Sequence, residues 1–157
     1  MARRRPVGAQ GPSLRIREFL ALAHAGMIQH LGEDLDGYAW RQRFGYLQYY
    51  RGSPAVHYEI WAQRKTGRVE VGLHFEAPDR DANYAALARL AGRIDDVFGA
   101  IGPDWELEEW TPQWTRLHRT LAGPALTATL ADEAAELAAT LMRGVGPLLG
   151  EEGIIDV

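Results

Sequence analysis

The chain contains no cysteine. Disulfides, thiolate metal ligands and thiol nucleophiles are therefore excluded, and any metal must be held by His, Asp or Glu. Lysine is almost absent too: Lys65 is the single lysine among 17 basic residues. Alanine and glycine are abundant beside the arginine, a composition that a GC-rich coding bias produces without selection for phosphate binding. Serine occurs only as Ser13 and Ser53. Neither sits in a GxSxG elbow, so no serine nucleophile is indicated. No glycine-rich phosphate loop follows a predicted strand, and neither HExxH nor an EF-hand loop occurs. No stretch approaches the roughly 20 apolar residues of a membrane span. The N-terminal MARRRPVGAQGPS has basic residues without the apolar run of a secretory signal. The expected location is therefore cytoplasmic.

What remains is ordinary globular material, 46% hydrophobic and 24% charged over 157 residues, enough for one domain with its own core. Its expected limits are residues 13–150, between a disordered basic arm over 1–12 and an acidic tail over 151–157. Residues 1–68 hold 11 Arg/Lys against 5 Asp/Glu, and residues 69–157 hold 6 against 16. Such a chain is bipolar if its halves stay apart, but one antiparallel sheet would interleave them and mix the charges.

Periodicity supplies the elements. Ser13 is a candidate N-cap, and Ile16, Leu20, Ala23, Met27 and Leu31 predict an amphipathic helix over 14–33. His24 and His30 fall on it six residues apart, off a common face, and read as ordinary histidines. Phe44 to Tyr50 is rich in aromatics and predicts a strand. A hairpin follows over 56–76, then a helix over 81–100 carrying Tyr84, Leu87, Leu90, Ile94 and Val97. WELEEW (105–110) and Trp114–Leu121 predict two more strands. Gly123-Pro124 opens a last helix, which Gly144, Gly146 and Pro147 should end. The expectation is an α+β fold: an antiparallel sheet of four to five strands with three helices packed mainly on one face.

The hairpin VHYEIWAQRKTGRVEVGLHFE is the most suggestive stretch. His57 and Glu59 alternate on its first strand, His74 and Glu76 on its second, so each pair shares a face. Whether all four share one face depends on the turn. A two-residue Thr66-Gly67 loop sets His57 opposite Glu76 and Glu59 opposite His74. A three-residue loop with a Gly bulge flips the second strand and separates the pairs. Threonine suits a type I′ turn poorly and favours the bulge. The apolar run Tyr58, Ile60, Val69, Val71, Leu73 and Phe75 favours a two- or four-residue loop. Together, His57, Glu59, His74 and Glu76 could bind a divalent metal such as Zn²⁺, Mn²⁺ or Fe²⁺, or set a Glu–His general base for a metal-dependent hydrolase. The plainer alternative is a solvent-facing strand face with weak cross-strand pairs.

Two further surfaces stand out. Arg41, Arg43, Tyr46, Tyr49, Tyr50 and Arg51, with Arg64 and Lys65, mix stacking rings with phosphate-neutralising charge and suit a nucleic acid or a protein partner. Trp105, Trp110 and Trp114, rimmed by Glu106, Glu108 and Glu109, could line a groove for a cationic or sugar-like ligand. Arg116 and His118 alternate on the following strand and can pair with those glutamates. An edge strand or the last helix offers a route to a self-associating homo-oligomer.

Across residues 69–121, RVEVGLHFE, the helix with Leu87 and Ile94, WELEEW and TRLHRTL follow one another in a layout that resembles the uncharacterised bacterial domains called DUF4268. The resemblance covers about a third of the chain, implies an α+β fold and an accessory, DNA-linked role, and brings no catalytic residues with it. The expected function is thus a binding or accessory domain that engages a protein or nucleic acid. The alternatives are a metal-dependent enzyme using the hairpin face and a structural subunit.

Overall fold

A computed structural model of the chain describes residues 11–155. Its centre is a six-stranded antiparallel sheet in the order β1-β2-β3-β4-β6-β5. The strands are β1 (Ala39–Arg43), β2 (Tyr46–Tyr50), β3 (Val56–Gln63), β4 (Arg68–Phe75), β5 (Glu106–Glu109) and β6 (Thr115–Ala122). The helices are α1 (Ile16–Leu31), α2 (Arg80–Ala91), α3 (Ile94–Ile101) and α4 (Ala128–Glu151), with a short 3-10 helix at Gly32–Leu35. The α+β class is as expected. The element counts exceed expectation by a strand and a helix, for two local reasons.

First, the aromatic segment is two strands. Phe44 adopts φ +44° and, with Gly45, makes a tight turn between β1 and β2. A non-glycine in this left-handed region is uncommon, which hides the turn from a sequence reading. Second, the helix expected over 81–100 breaks at Gly92-Arg93, where the Arg93 amide bonds Leu90 O at 2.9 Å instead of continuing the ladder.

Alternation sorts the sheet into two faces. Leu47, Tyr49, Tyr58, Ile60, Val69, Val71, Leu73, Phe75 and Leu117 are buried against the helices. α1 and α4 carry the other half of this core, through Phe19, Leu20, Met27, Leu130, Ala134, Leu141 and Val145. Because α1 packs on α4 and β4 pairs with β6, the two halves of the chain interleave. Arg143–Asp34 at 3.1 Å joins them across the surface, so the charge asymmetry along the chain is not a separation in space.

Three terminus signals read differently in the fold. Ser13 does not cap α1; Arg15 occupies that position without a side-chain bond. α4 begins at a real cap, Thr127, whose side chain accepts from the Leu130 amide. It then runs through Gly144, Gly146 and Pro147 to Glu151. Gly144 is there for packing: a Cβ would stand 2.7 Å from Ile101 Cγ2 of α3. Past the helix, Ile154 and Ile155 fold back onto the core, where a loose acidic tail was expected.

Candidate metal centre

The hairpin turn is four residues long, Arg64–Gly67, with Gln63 opposite Arg68. Gly67 takes φ +64°, and a Cβ there would run into the Gly123 carbonyl. The even loop keeps His57, Glu59, His74 and Glu76 on one face, away from the helices. Their pairing differs from that of the two-residue alternative: His57 faces His74, and Glu59 faces Gly72. The carboxylates therefore approach the rings diagonally. Gly72 leaves the space in which they meet, since a Cβ there would lie 3.2 Å from Glu70 Oε1.

One ligand-type atom from each of the four residues falls within 4.8 Å of all the others. His57 Nε2 is 2.9 Å from Glu76 Oε2 and 3.4 Å from Glu59 Oε1. His74 Nδ1 is 3.2 Å from the same Glu76 oxygen, and its Nε2 is 3.6 Å from Glu59 Oε2. This face is not solvated as the plain strand-face alternative requires: His57, Glu59 and His74 are 2%, 8% and 0% exposed. Only Glu76 is partly open to solvent.

A second layer of contacts orients the four. The Pro54 carbonyl lies 2.7 Å from His57 Nδ1 and can only accept, so Nδ1 carries a proton and Nε2 faces the cluster, with Gln48 Nε2 3.1 Å away. Arg41 Nε donates to Gln48 Oε1 at 2.7 Å, which turns the Gln48 amide group inward. That amide donates to Glu59 Oε1 at 2.8 Å. Glu70, held by Arg116 at 2.8 Å, sits 2.9 Å from His74 Nε2. The backbone at Glu76 is fixed as well: its amide bonds Ala55 O at 2.7 Å, and Asn83 Oδ1 takes the next amide, Ala77, at 2.7 Å. Trp110 closes the side, edge-on to His74 at 5.1 Å and under the Arg116 guanidinium at 4.5 Å.

Electrostatics follow from this crowding. Burial alone would lower both histidine pKa values. For His57, contact with Glu59 and Glu76 outweighs burial and raises it. For His74, Glu70 and Glu76 do the same and lift it to about 9. Burial would raise the carboxylates, yet His57 and His74 pull Glu76 down to about 2, and the same rings with Gln48 lower Glu59. The cluster is one that a positive charge stabilises, whether the charge is carried by protons or by a metal ion.

Sequence reasoning had the four central residues but not their supports. Glu70 shares a face with His74 by alternation and was legible in principle. Gln48 and Arg116 arrive from other strands and Trp110 from the β5–β6 link, and they left no local signal of that role.

The other candidate surfaces are only partly assembled. Tyr49 leaves the aromatic–arginine surface: it is 1% exposed on the helix face, 2.6 Å from His24 Nδ1 through its hydroxyl. Tyr46, Tyr50 and Arg41 lie on the opposite face, where Arg41 is occupied by Gln48. Arg43, Arg64 and Lys65 are exposed, while Arg51 stands apart over the Tyr38 ring. Arg3, Arg4 and Arg5 lie outside the described residues. The tryptophan groove does not form. Trp105 is a core residue whose Nε1 donates to Ile101 O at 3.1 Å, and only Trp110 and Trp114 meet, at 6.0 Å. Arg116 and His118 do pair with β5, each reaching Glu108, at 2.9 and 2.7 Å. Among the described residues no helix is long and apolar enough to cross a membrane.

Comparison with protein-family models, curated proteins and solved structures finds no match to this chain.

Proposed function

We propose that this protein binds one divalent transition-metal ion, Zn²⁺ above all, through His57, Glu59, His74 and Glu76. The observation that carries the reading is the His57 ring: its Nδ1 is fixed on Pro54 O, and its Nε2 is aimed at two carboxylates of a buried four-residue cluster. The carboxylates here are held by positive charge, which ring protons carry in the metal-free protein and a metal ion can replace. A backbone carbonyl on one imidazole nitrogen with the metal on the other is a recurrent support of metal-bound histidine, and a carboxylate on the ring N–H is its counterpart. Glu70 supplies that counterpart for His74, leaving Nδ1 to the ion. A tetrahedral ion with ligands at about 2.0–2.1 Å sets donor atoms roughly 3.3 Å apart. Three of the separations, 2.9, 3.2 and 3.4 Å, are close to that figure, and all four ligand atoms lie within 4.8 Å of one another.

Four protein donors complete a tetrahedral shell, which favours a metal held for structure or retention over one that keeps a position open for substrate. The hydrolase alternative is the weaker for this reason. The test is elemental analysis and titration of the chelator-treated protein with Zn²⁺. One equivalent should bind, and the double variant His57→Ala/His74→Ala should lose at least a hundredfold in affinity. Mg²⁺, which prefers an all-oxygen octahedral shell, should not compete. Absence of saturable Zn²⁺ binding by the folded wild-type chain would sink the proposal.

A second reading has its own observation. The β1–β2 and β3–β4 turns lie at the same end of the sheet, where Ala62 N bonds Gly45 O at 2.8 Å. They bring Arg43, Arg64 and Lys65, all exposed, to the same end of the sheet as Phe44, which is 92% exposed. Cations around a bare ring suit single-stranded nucleic acid. A labelled oligonucleotide should bind at low salt and dissociate as salt rises. Arg64→Glu/Lys65→Glu should abolish this, and no binding at low salt would end the idea.

A further inference from the structure

A cleft of about 710 Å³ opens on the helix side of the sheet, remote from the metal cluster. It lies between the C-terminal half of α4, the 3-10 helix and the turn that links β2 to β3. Its volume is that of a small-molecule site, and Leu31, Tyr38, Met142, Pro147 and Ile155 give it mainly apolar walls.

The charges at its rim are unequal in kind. Asp34 is paired with Arg143 at 3.1 Å, and Glu151 with Arg93 at 2.9 Å. Arg51 is the exception: no carboxylate pairs with it among the described residues. The guanidinium is nevertheless held in place. It lies 4.4 Å over the Tyr38 ring, and a Cβ on Gly37 would come within 3.1 Å of its Cζ, so the missing side chain at Gly37 makes its room. The wall behind carries a second buried polar group. The Tyr58 hydroxyl is buried next to Tyr38, and a Cβ on Gly146, a cleft residue, would stand 3.7 Å from it. The site is thus apolar inside, with one positioned cation at its edge that no carboxylate among the described residues pairs.

We propose that this cleft binds an amphipathic monocarboxylate, with the apolar body between Met142 and Pro147 and the carboxylate on the Arg51 guanidinium. Arginine matches a carboxylate with two parallel N–H donors, and the cation is already desolvated on one side by Tyr38. A neutral ligand of the same body would use the walls alone. A cationic one would meet Arg51 unfavourably.

Decanoate is the probe, with decanol and decylamine as controls, followed through the methionine methyl resonances of the folded full chain. Met142 lines the cleft, whereas Met27 is buried between α1 and the core and serves as an internal control. The Met142 signal should shift saturably with decanoate, with decanol about tenfold weaker or more and decylamine inactive. Arg51→Gln should reduce decanoate binding to the decanol level, and Arg51→Lys should keep part of the difference. Because Arg51 is exposed, both variants should melt like the wild type. The proposal is overturned if decanoate leaves Met142 unmoved, if decanol binds equally well, or if R51Q binds decanoate as the wild type does.

Discussion

His57 and His74 meet ring to ring, centroids 5.3 Å apart, with three carboxylates around them. In the metal-free protein this makes stability depend on pH in a definable direction. His74 is raised from 6.5 to about 9, so its contribution is full below pH 6.5 and is lost as pH rises through 9. Glu76 is depressed from 4.5 to about 2, so its contribution is full above pH 4.5 and is lost as pH falls through 2. A plateau in melting temperature between these limits, falling on both sides, is the expected profile. Metal binding should show the opposite alkaline trend, since Zn²⁺ competes with the His74 proton and binds more tightly as pH rises. His74→Gln should flatten the alkaline limb of the metal-free curve, which melts at a series of pH values would check.

At the scale of elements, glycines set how closely α4 can approach its neighbours. A Cβ at Gly26 would lie 2.7 Å from Ala135 Cβ across the α1–α4 contact, and one at Gly144 equally close to Ile101 of α3. Gly26→Ala and Gly144→Ala would raise helix propensity yet force the helices apart. A net loss of about 1–3 kcal/mol in urea unfolding is expected for each. The hairpin is held by the same kind of constraint at Gly67. Gly67→Ala combines a left-handed φ with a clash on Gly123, at a cost of roughly 1–3 kcal/mol from backbone strain alone. Since the loop sets which face Glu76 occupies relative to His57, this variant should also weaken Zn²⁺ binding, read by titration.

For the molecule as a whole, the metal proposal implies a thermodynamic coupling between site and fold. The four ligands join neighbouring strands at the middle of the sheet, so an ion there binds the folded chain and not the unfolded one. Free Zn²⁺ at 100 times its Kd should add about 2.7 kcal/mol of stability. The melting temperature should rise accordingly, fall back with a chelator, and stay put in the double histidine variant. Decanoate should produce its own, additive rise, because the cleft lies across the sheet from the cluster.

The class of fold, the hairpin and the four ligand-type residues were all legible from alternation and helical periodicity, since these reflect which side of each element must leave water. Spacing placed α1, β5, β6 and the start of α4 to within a few residues. Three things were not local. The Phe44 turn rests on a backbone conformation that its residue type disfavours. Gly144 and Pro147 look like terminators but lie inside a helix whose neighbours press against it. The supports of the site, Gln48, Glu70, Arg116 and Trp110, come together only when β2, β4, β6 and the β5–β6 link are side by side. Sequence alone therefore determined what each strand offers to one face. Tertiary structure decided that the turn has an even length, that the face is buried, and that His57 Nε2 points at carboxylates, because register and burial depend on contacts between residues distant in the chain.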